Sequence, residues 1–123
     1  MRVVVQRVSQ SNVKVSGEVI GEFKEGLMVL VSFIDEDNDI DLEWMTKKII
    51  NLRIFNDDEG KMNRSVQDVG GDILLISQFT LHGSTKKGNR PSFIKAAKPD
   101  FANVMYMKFI KILEQSLGKG IQT

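Results

Sequence analysis

A short polar run at the end of an apolar strand contains the side chains of this sequence that could do chemistry. Residues 73–76 read Ile-Leu-Leu-Ile, a pattern typical of a buried strand, and Ser77, Gln78 and Thr80 follow directly. An unpaired buried hydroxyl or amide costs about 1–3 kcal/mol, so such groups need hydrogen-bond partners, and a bound ligand is one source of them. A serine or threonine hydroxyl could also attack an ester, provided that a base activates it.

His82 is the one histidine of the chain and therefore the first candidate for that base. If the strand continues without a bulge, alternation of side chains puts Ser77 on the face opposite His82, so a Ser–His pair is disfavoured. Thr80 would share a face with His82 at about 6.5–7 Å between backbone positions, so a Thr–His pair is sterically possible. Because His82 lies beside a polar loop, we expect it to be exposed to solvent, which leaves Thr80 without an obvious base.

Four more strands are predicted before this run. They occupy residues 3–5, 12–15, 19–23 and 27–31, which are β-branched and apolar or alternate between apolar and polar residues. Residues of these types favour strands. Short strands separated by turn signals favour antiparallel pairing, which we predict here.

Two helices are predicted to pack against these strands. The acidic residues at 35–41 suit the start of the first helix, because carboxylates there accept hydrogen bonds from free backbone N–H groups. Residues at helical spacing form its apolar stripe: Leu42, Met45, Ile49 and Leu52. Trp44 lies beside that stripe and is expected to be a packing residue, not a platform for a cofactor. The second helix is predicted to begin at Pro99 and to stop at Gly118, so the fold class is α+β.

Composition excludes several classes of function. The 123 residues suffice for one domain. The absence of cysteine excludes disulfides, thiolate nucleophiles and Cys-based zinc sites, and a single histidine argues against a transition-metal site. No apolar run approaches the ~20 residues of a membrane span, and the N-terminus lacks the features of a signal peptide, so a cytoplasmic protein is expected.

The charge distribution leaves one kind of nucleic-acid contact open. A net charge of +1 argues against a protein that grips long stretches of nucleic acid, but it allows binding of an RNA end. A local group of basic residues could hold a few phosphates: Lys86, Lys87, Arg90, Lys95 and Lys98. A solvated loop that is simply basic is the alternative.

Several segments of the chain together resemble the D-aminoacyl-tRNA deacylases. The strongest are Ser-Gln-Phe-Thr-Leu at residues 77–81 and Asn-Arg-Pro-Ser-Phe at residues 89–93. Gln-Arg-Val at 6–8, Arg-Ile-Phe at 53–55 and Gly-Lys-Met-Asn at 60–63 fit the same family. The resemblance implies antiparallel β-sheets forming a barrel-like core with two helices packed against it, and a homodimer. It also implies hydrolysis of the ester of D-aminoacyl-tRNA, and of glycine mischarged on tRNA, as a proofreading step in translation.

The resemblance assigns roles to individual residues. It implies that Ser77 and Gln78 hold the terminal adenosine and the ester, that the Phe79 main chain points into the pocket, and that Thr80 borders the reacting carbonyl. The implied catalytic residues are thus Gln78, Phe79 and Thr80. The resemblance also implies that Pro91 and Phe93 form a wall of the substrate site. It implies that Arg7 braces the loop that reads the chirality of the amino acid.

Two mechanisms are compatible with this assignment. Thr80 could be the nucleophile, or the 2′-hydroxyl of the terminal ribose could take part while protein groups position the ester. We favour the second, because an aminoacyl ester is already reactive and proximity supplies much of the rate. A backbone N–H of Phe79 or Thr80 aimed at the developing oxyanion would supply the remainder.

One family feature is not found in these 123 residues. Family members continue through two further strands, the second of which carries a Gly-Pro pair that excludes L-amino acids across the dimer. The only prolines here are Pro91 and Pro99, and neither follows glycine. We therefore expect residues 1–123 to be a single deacylase domain without the C-terminal Gly-Pro strands, and we favour a truncated sequence over a natural short form. Two alternatives to the deacylase remain: a non-catalytic module that binds the tRNA 3′ end, and a generic Thr/Ser esterase that uses His82.

Overall fold

The computed structural model describes the backbone of residues 1–9, 11–15, 18–23 and 25–123, and the side chains of residues 1–9 and 25–123. Ten elements follow one another along the chain: β1 (Arg2–Val8), β2 (Ser11–Val15), β3 (Glu18–Phe23), β4 (Gly26–Ser32), α1 (Asp39–Asn51), β5 (Phe55–Asn56), β6 (Met62–Arg64), β7 (Asp72–Ser77), a 3₁₀ helix (Phe79–His82) and α2 (Pro99–Leu117). The α+β class predicted from the sequence is confirmed.

A three-stranded sheet in the order β1-β4-β7 forms the centre of the molecule. β1 pairs with β4 in the antiparallel sense, as predicted, but β4 and β7 run parallel, so the prediction of purely antiparallel pairing was wrong here. Parallel neighbours need a crossover connection, which α1 and the β5–β6 hairpin provide. The prediction of a barrel-like closure stays a prediction.

The parallel pair requires glycine at the start of β4. Gly26 has φ +158°, and a Cβ at this position would lie 1.9 Å from the carbonyl oxygen of Asp72. The two backbones therefore approach more closely than any side chain allows. This close approach aligns Leu27 with Ile73 and Val31 with Ser77.

Both helices pack on one face of the sheet and bury its apolar side chains. Residues of β4, β5, β7, the two helices and the segments between these elements meet in one core: Leu27, Val29, Val31, Phe33, Leu42, Ile49, Ile50, Phe55, Val66, Ile73, Leu75, Ala97, Met105, Phe109 and Leu113. The ring of Phe33 meets that of Phe109 edge-on, with centroids 6.3 Å apart. Phe33 directly follows β4, so the core joins the end of this strand to the middle of α2.

Local signals determine where the helices begin and end. Asn38 caps α1 by accepting from the backbone N–H groups of Ile40 and Asp41, and the Asp41 carboxylate accepts from the Asn38 N–H in return. α2 begins with Pro99 in its first turn and ends at Gly118, which has φ +84°, as predicted. No helix in the described part of the chain is long and apolar enough to cross a bilayer.

Trp44 departs from its predicted place. It is 60% exposed on the outer face of α1, whereas Thr46 and Ile50 are buried in its stead. Periodicity located the apolar stripe but placed its edge about one residue out of position, because the boundary depends on the packing partner and not on the helix alone.

Candidate active site

The end of β7 differs from the strand that the sequence predicts. Ser77 is the last strand residue and pairs with Val31, and the Gln78 N–H donates to the Val31 carbonyl at 2.7 Å. The chain then turns into the 3₁₀ helix Phe79–His82. The prediction that side chains alternate through Thr80 and His82 was therefore wrong, and a shared strand face gives no reason to pair those two residues.

His82 is buried, not exposed as predicted, and only 7% of its surface is accessible. Its Nδ1 lies 2.6 Å from the Oγ of Ser32, and that hydroxyl donates to the Phe79 carbonyl at 3.2 Å. The Ser32 hydroxyl has a single proton, so both contacts are satisfied together when that proton goes to the Phe79 carbonyl and Nδ1 of His82 donates to Ser32. We call these three residues the Phe79 brace.

The surroundings of His82 favour its neutral form. Burial lowers its pKa, and the positive charges of Arg2 and of the amino group of Met1 lower it further, against a smaller opposing effect of Asp37. A neutral histidine that donates from Nδ1 to a buried serine cannot also accept that serine's proton at the same nitrogen. The Phe79 brace is thus a structural support, and it offers no Ser–His nucleophile.

Thr80 is exposed, and its hydroxyl is held by its neighbour. The Gln78 side-chain amide donates to the Thr80 Oγ1. Among the described residues, this is the only side-chain hydrogen bond that Thr80 makes, and its partner is a donor that cannot remove a proton. Gln78 and Thr80 are therefore in contact, in an arrangement without a base.

A cleft of about 840 Å³ opens beside these residues, between the end of β7 and the start of α2. Ser77, Phe79 and Phe93 line one side of it. The Phe79 and Phe93 rings meet edge-on with centroids 5.3 Å apart, so the loop after the 3₁₀ helix is fastened to it. The volume lies within the range of about 300–1,000 Å³ that is common for small-molecule sites.

The other wall comes from residues that sequence reasoning missed. This wall is formed by Lys98, which directly precedes α2, and by three residues of α2 itself: Asp100, Asn103 and Tyr106. The Tyr106 hydroxyl donates to the Leu75 carbonyl at 2.9 Å, and burial raises the pKa of this phenol. The helix-start signal at Pro99 was visible in the sequence, but nothing local indicated that this first turn faces the end of β7.

Four of the seven predicted site residues do not line the cleft: Gln78, Thr80, Pro91 and Arg7. Gln78 and Thr80 adjoin it as chain neighbours of Ser77 and Phe79, whereas the other two lie elsewhere. Pro91 is exposed in the loop that the Ser84–Ser92 backbone pair closes, with both hydrogen bonds at 2.8 Å, and it does not line the cleft. Arg7 pairs across β1 and β4 with Leu27, four residues and about 13 Å along the sheet from the Val31–Ser77 end. Its guanidinium donates to the Ile54 carbonyl at 2.8 Å. Within the described chain, Arg7 and the cleft are therefore separate.

The basic residues of the predicted phosphate-binding group are only partly brought together. Lys86, Lys87 and Arg90 are exposed in the loop before Ser92, and Lys95 is exposed further along. Of the five, only Lys98 lines the cleft. One cation is thus in reach of a ligand in the cleft.

Comparison with known proteins identifies the family. A family model described as D-Tyr-tRNA(Tyr) deacylase matches residues 4–123. A D-aminoacyl-tRNA deacylase from Flavobacterium johnsoniae is 59% identical over 123 residues, which are all of this chain and 82% of that protein. This chain belongs to the D-aminoacyl-tRNA deacylase family.

A second curated relative carries the same deacylase name, and two solved structures share the fold. The D-aminoacyl-tRNA deacylase of Chloroherpeton thalassium is 59% identical over 114 residues, covering 93% of this chain and 75% of that protein. A solved structure titled c-Myc DNA Unwinding Element Binding Protein superposes with a TM-score of 0.89 at 41% identity, over 94% of this chain and 78% of the other. A probable eukaryotic D-amino acid tRNA deacylase has a TM-score of 0.79 at 23% identity, over 94% and 68% of the two chains, and shows the shared fold.

This deacylase is accordingly a hydrolase that acts on the ester bond of D-aminoacyl-tRNA, as the sequence predicted. The two alternatives from the sequence, a non-catalytic RNA-end module and a generic esterase, are not favoured by the family assignment. The buried, donating His82 argues against the esterase on independent grounds.

Proposed function

We propose that the cleft between the end of β7 and the start of α2 holds the terminal adenosine and the aminoacyl ester of the tRNA. The observation that supports this most directly is that Ser77, Phe79 and Phe93, all from the two motif segments, line one cleft of suitable size. We further propose that a homodimer of this domain releases D-amino acids and mischarged glycine in the cytoplasm, where translation takes place, without a metal or cofactor.

In the proposed mechanism, protein groups position the ester and do not attack it. Water adds to the carbonyl carbon, the carbon–oxygen bond to the ribose breaks, and the departing ribose oxygen takes a proton, with the neighbouring 2′-hydroxyl assisting. The Gln78 amide donates to Thr80 and leaves that hydroxyl without a base, which supports a positioning role for Thr80. A backbone N–H of Phe79 or Thr80 would stabilise the oxyanion.

The position of the Phe79 backbone supports this role. Ser32 binds the Phe79 carbonyl from the buried side at 3.2 Å. A fixed carbonyl also fixes the peptide plane that follows it, which carries the Thr80 N–H. Preorganised donors of this kind contribute to catalysis because they need no reorganisation during the reaction.

The test of the mechanism is the turnover of D-tyrosyl-tRNA by the Thr80→Ala variant, with Thr85→Ala in the neighbouring loop as the matched control. We expect kcat of Thr80→Ala to stay within about tenfold of the unmodified chain, the order of a small positioning defect. Loss of a true nucleophile costs about 10⁶-fold in kcat in a well-studied protease. A loss of that order in Thr80→Ala alone would establish Thr80 as the nucleophile and overturn the positioning mechanism.

For chirality, we propose that Arg7 braces a Gly-Pro segment that reaches the cleft of the other subunit. The distance of Arg7 from the cleft of its own chain is consistent with a role across a dimer. Matched D- and L-tyrosyl-tRNA test this proposal. Release of D-tyrosine alone would mean that residues 1–123 carry the filter, whereas release of both would assign it to a Gly-Pro segment outside them.

A further inference from the structure

The outer face of α1 carries a second cleft that the deacylase site does not use. It has a volume of about 390 Å³ and is lined by Trp44, Lys47, Lys48, Asn51, Leu52 and Arg53. We call it the Trp44 cleft. Trp44 is the one tryptophan of the chain and is 60% exposed, and the Lys48 ammonium lies 5.4 Å from its ring centroid. The size falls at the lower end of the range for small-molecule sites.

The charged residues that line the Trp44 cleft are all positive. Lys47, Lys48 and Arg53 form no ion pair with the described side chains, whereas four other cations, Lys61, Arg64, Lys108 and Lys119, each pair with a carboxylate. A lysine in the last turn of a helix complements the negative end of the helix dipole, which is reason enough for Lys48. The dipole does not account for Arg53, which lies beyond the helix, or for an exposed indole.

We propose that the Trp44 cleft binds an unpaired nucleotide of the RNA substrate, a proposal that rests on the function proposed above. An aromatic ring beside several cations is the combination by which proteins bind single-stranded nucleic acid, with the base stacked on the ring and the cations holding phosphates. The base stacks on the face of the Trp44 indole that Lys48 does not cover. An unpaired nucleotide is required, because bases inside a duplex have both faces covered by their neighbours.

A second copy of the chain fits this surface less well. Of the six lining residues, only Trp44 and Leu52 are apolar. In a symmetric dimer each patch faces its own copy, so the three cations of one subunit would meet the same three of the other. Like charges brought together in this way oppose association, whereas an RNA strand supplies the opposite charge.

Trp44 provides its own reporter, because it is the only tryptophan. The first experiment titrates the unmodified chain with a single-stranded RNA oligonucleotide and follows the indole fluorescence. We expect quenching, with an association constant that falls with salt at a logarithmic slope of about −2 for three phosphate contacts. Lys47→Gln should reduce the slope by about 0.7. Lys108→Gln removes the same charge from α2, outside the cleft, and should leave the slope unchanged.

The second experiment measures deacylation by Trp44→Ala with two substrates, D-tyrosyl-tRNA and 3′-D-tyrosyl-adenosine, which has no further nucleotides. We expect KM for the tRNA to rise about 5- to 150-fold, the range for loss of one base–aromatic stack, with kcat unchanged. KM for the short substrate should not change. Ile40→Ala is the matched control, since Ile40 is apolar, 73% exposed and one turn earlier on α1, but it has no ring.

Each other outcome has a defined meaning. Equal KM values for Trp44→Ala and the unmodified chain on tRNA, or an equal rise on both substrates, would overturn the stacking proposal. If the indole fluorescence without RNA depended on protein concentration, and if Ile40→Ala abolished that dependence, the occupant of the Trp44 cleft would be a second copy of the chain and not the RNA. If the unmodified chain hydrolyses neither substrate, the proposed function fails, while the fluorescence titration still decides whether the Trp44 cleft binds RNA.

Discussion

Replacing Ser32 by alanine removes the centre of the Phe79 brace. The Ser32 hydroxyl is both the acceptor for the His82 Nδ1–H and the donor to the Phe79 carbonyl. Ser32 itself is 2% exposed, so water cannot simply take its place. The substitution leaves two polar groups without a partner and removes very little volume.

The magnitude follows from the burial of these two groups. Leaving a buried donor or acceptor unsatisfied costs about 1–3 kcal/mol. His82 is buried and bears most of this cost, whereas Phe79 is 56% exposed and its surroundings admit solvent. We therefore expect the free energy of unfolding to fall by about 2–3 kcal/mol, at the upper part of that range. With an unfolding entropy of about 2.1 cal/mol/K per residue, a chain of 123 residues loses about 4 °C of Tm per kcal/mol, or about 8–12 °C here.

The assay combines thermal unfolding with single-turnover deacylation of D-tyrosyl-tRNA below the lowered Tm. Because the brace holds the peptide that precedes Thr80, kcat should fall by about 10- to 100-fold, the order expected when a catalytic group moves by a fraction of an ångström to 1 Å. Ser92→Ala is the control, since Ser92 is exposed and its hydrogen bonds in the described chain run through its backbone. It should change stability by less than about 0.5 kcal/mol.

Two results would refute this reasoning. An unchanged Tm would mean that the Ser32 hydroxyl does not satisfy His82. A loss of turnover on the order of 10⁶-fold in a protein that remains folded would mean that Ser32 is a nucleophile after all, with His82 as its base.

Three further predictions concern the same molecule. Thr46→Val should raise the free energy of unfolding by about 1 kcal/mol in urea denaturation, because the Thr46 Oγ1 is buried and has no partner among the described residues; a lower midpoint would contradict this. The stability of the unmodified chain should fall as pH drops below about 6.5, because the unfolded chain then binds a proton at His82 that the folded one, with its lowered pKa, does not. The slope from this group is at most about 1.4 kcal/mol per pH unit, and His82→Gln should remove it; equal slopes for the two chains would refute the assignment. Gly83→Ala would bring a Cβ to 2.8 Å from the Phe93 ring, so KM for D-tyrosyl-tRNA should rise about tenfold, whereas an unchanged KM would separate Phe93 from binding.

The sequence predicts well those parts of the fold that local rules determine. The second helix begins at Pro99 and ends at Gly118 because a proline ring suits a first turn and a glycine tolerates positive φ, and neither rule needs a tertiary contact. The strand of β4 was likewise visible as a short β-branched run.

The sequence predicts less well what distant residues decide. Alternation failed after Ser77 because the next residues form a 3₁₀ helix whose hydrogen bonds reach Ser32, almost fifty positions away along the chain. The parallel pairing of β7 could not be predicted because strand propensity does not specify a partner. Motif resemblance found Ser77, Phe79 and Phe93, but the wall from α2 depends on how the helix packs.

The parallel pairing of β4 with β7 has a consequence for the order in which the protein is built. Gly26 and Asp72, the first pair of this ladder, are separated by 46 positions, and closing a loop of that length costs about 3–4 kcal/mol of chain entropy. β4 can therefore pair with β7 only after the chain as far as Ser77 has left the ribosome. The cleft gains its second wall only after α2 has left the ribosome as well. β1 and β4 can pair long before then. A nascent chain stalled at about residue 70 would lack β7 and α2 and therefore have no deacylase site, so this site is assembled only after the chain that forms the β1–β4 pair has been made.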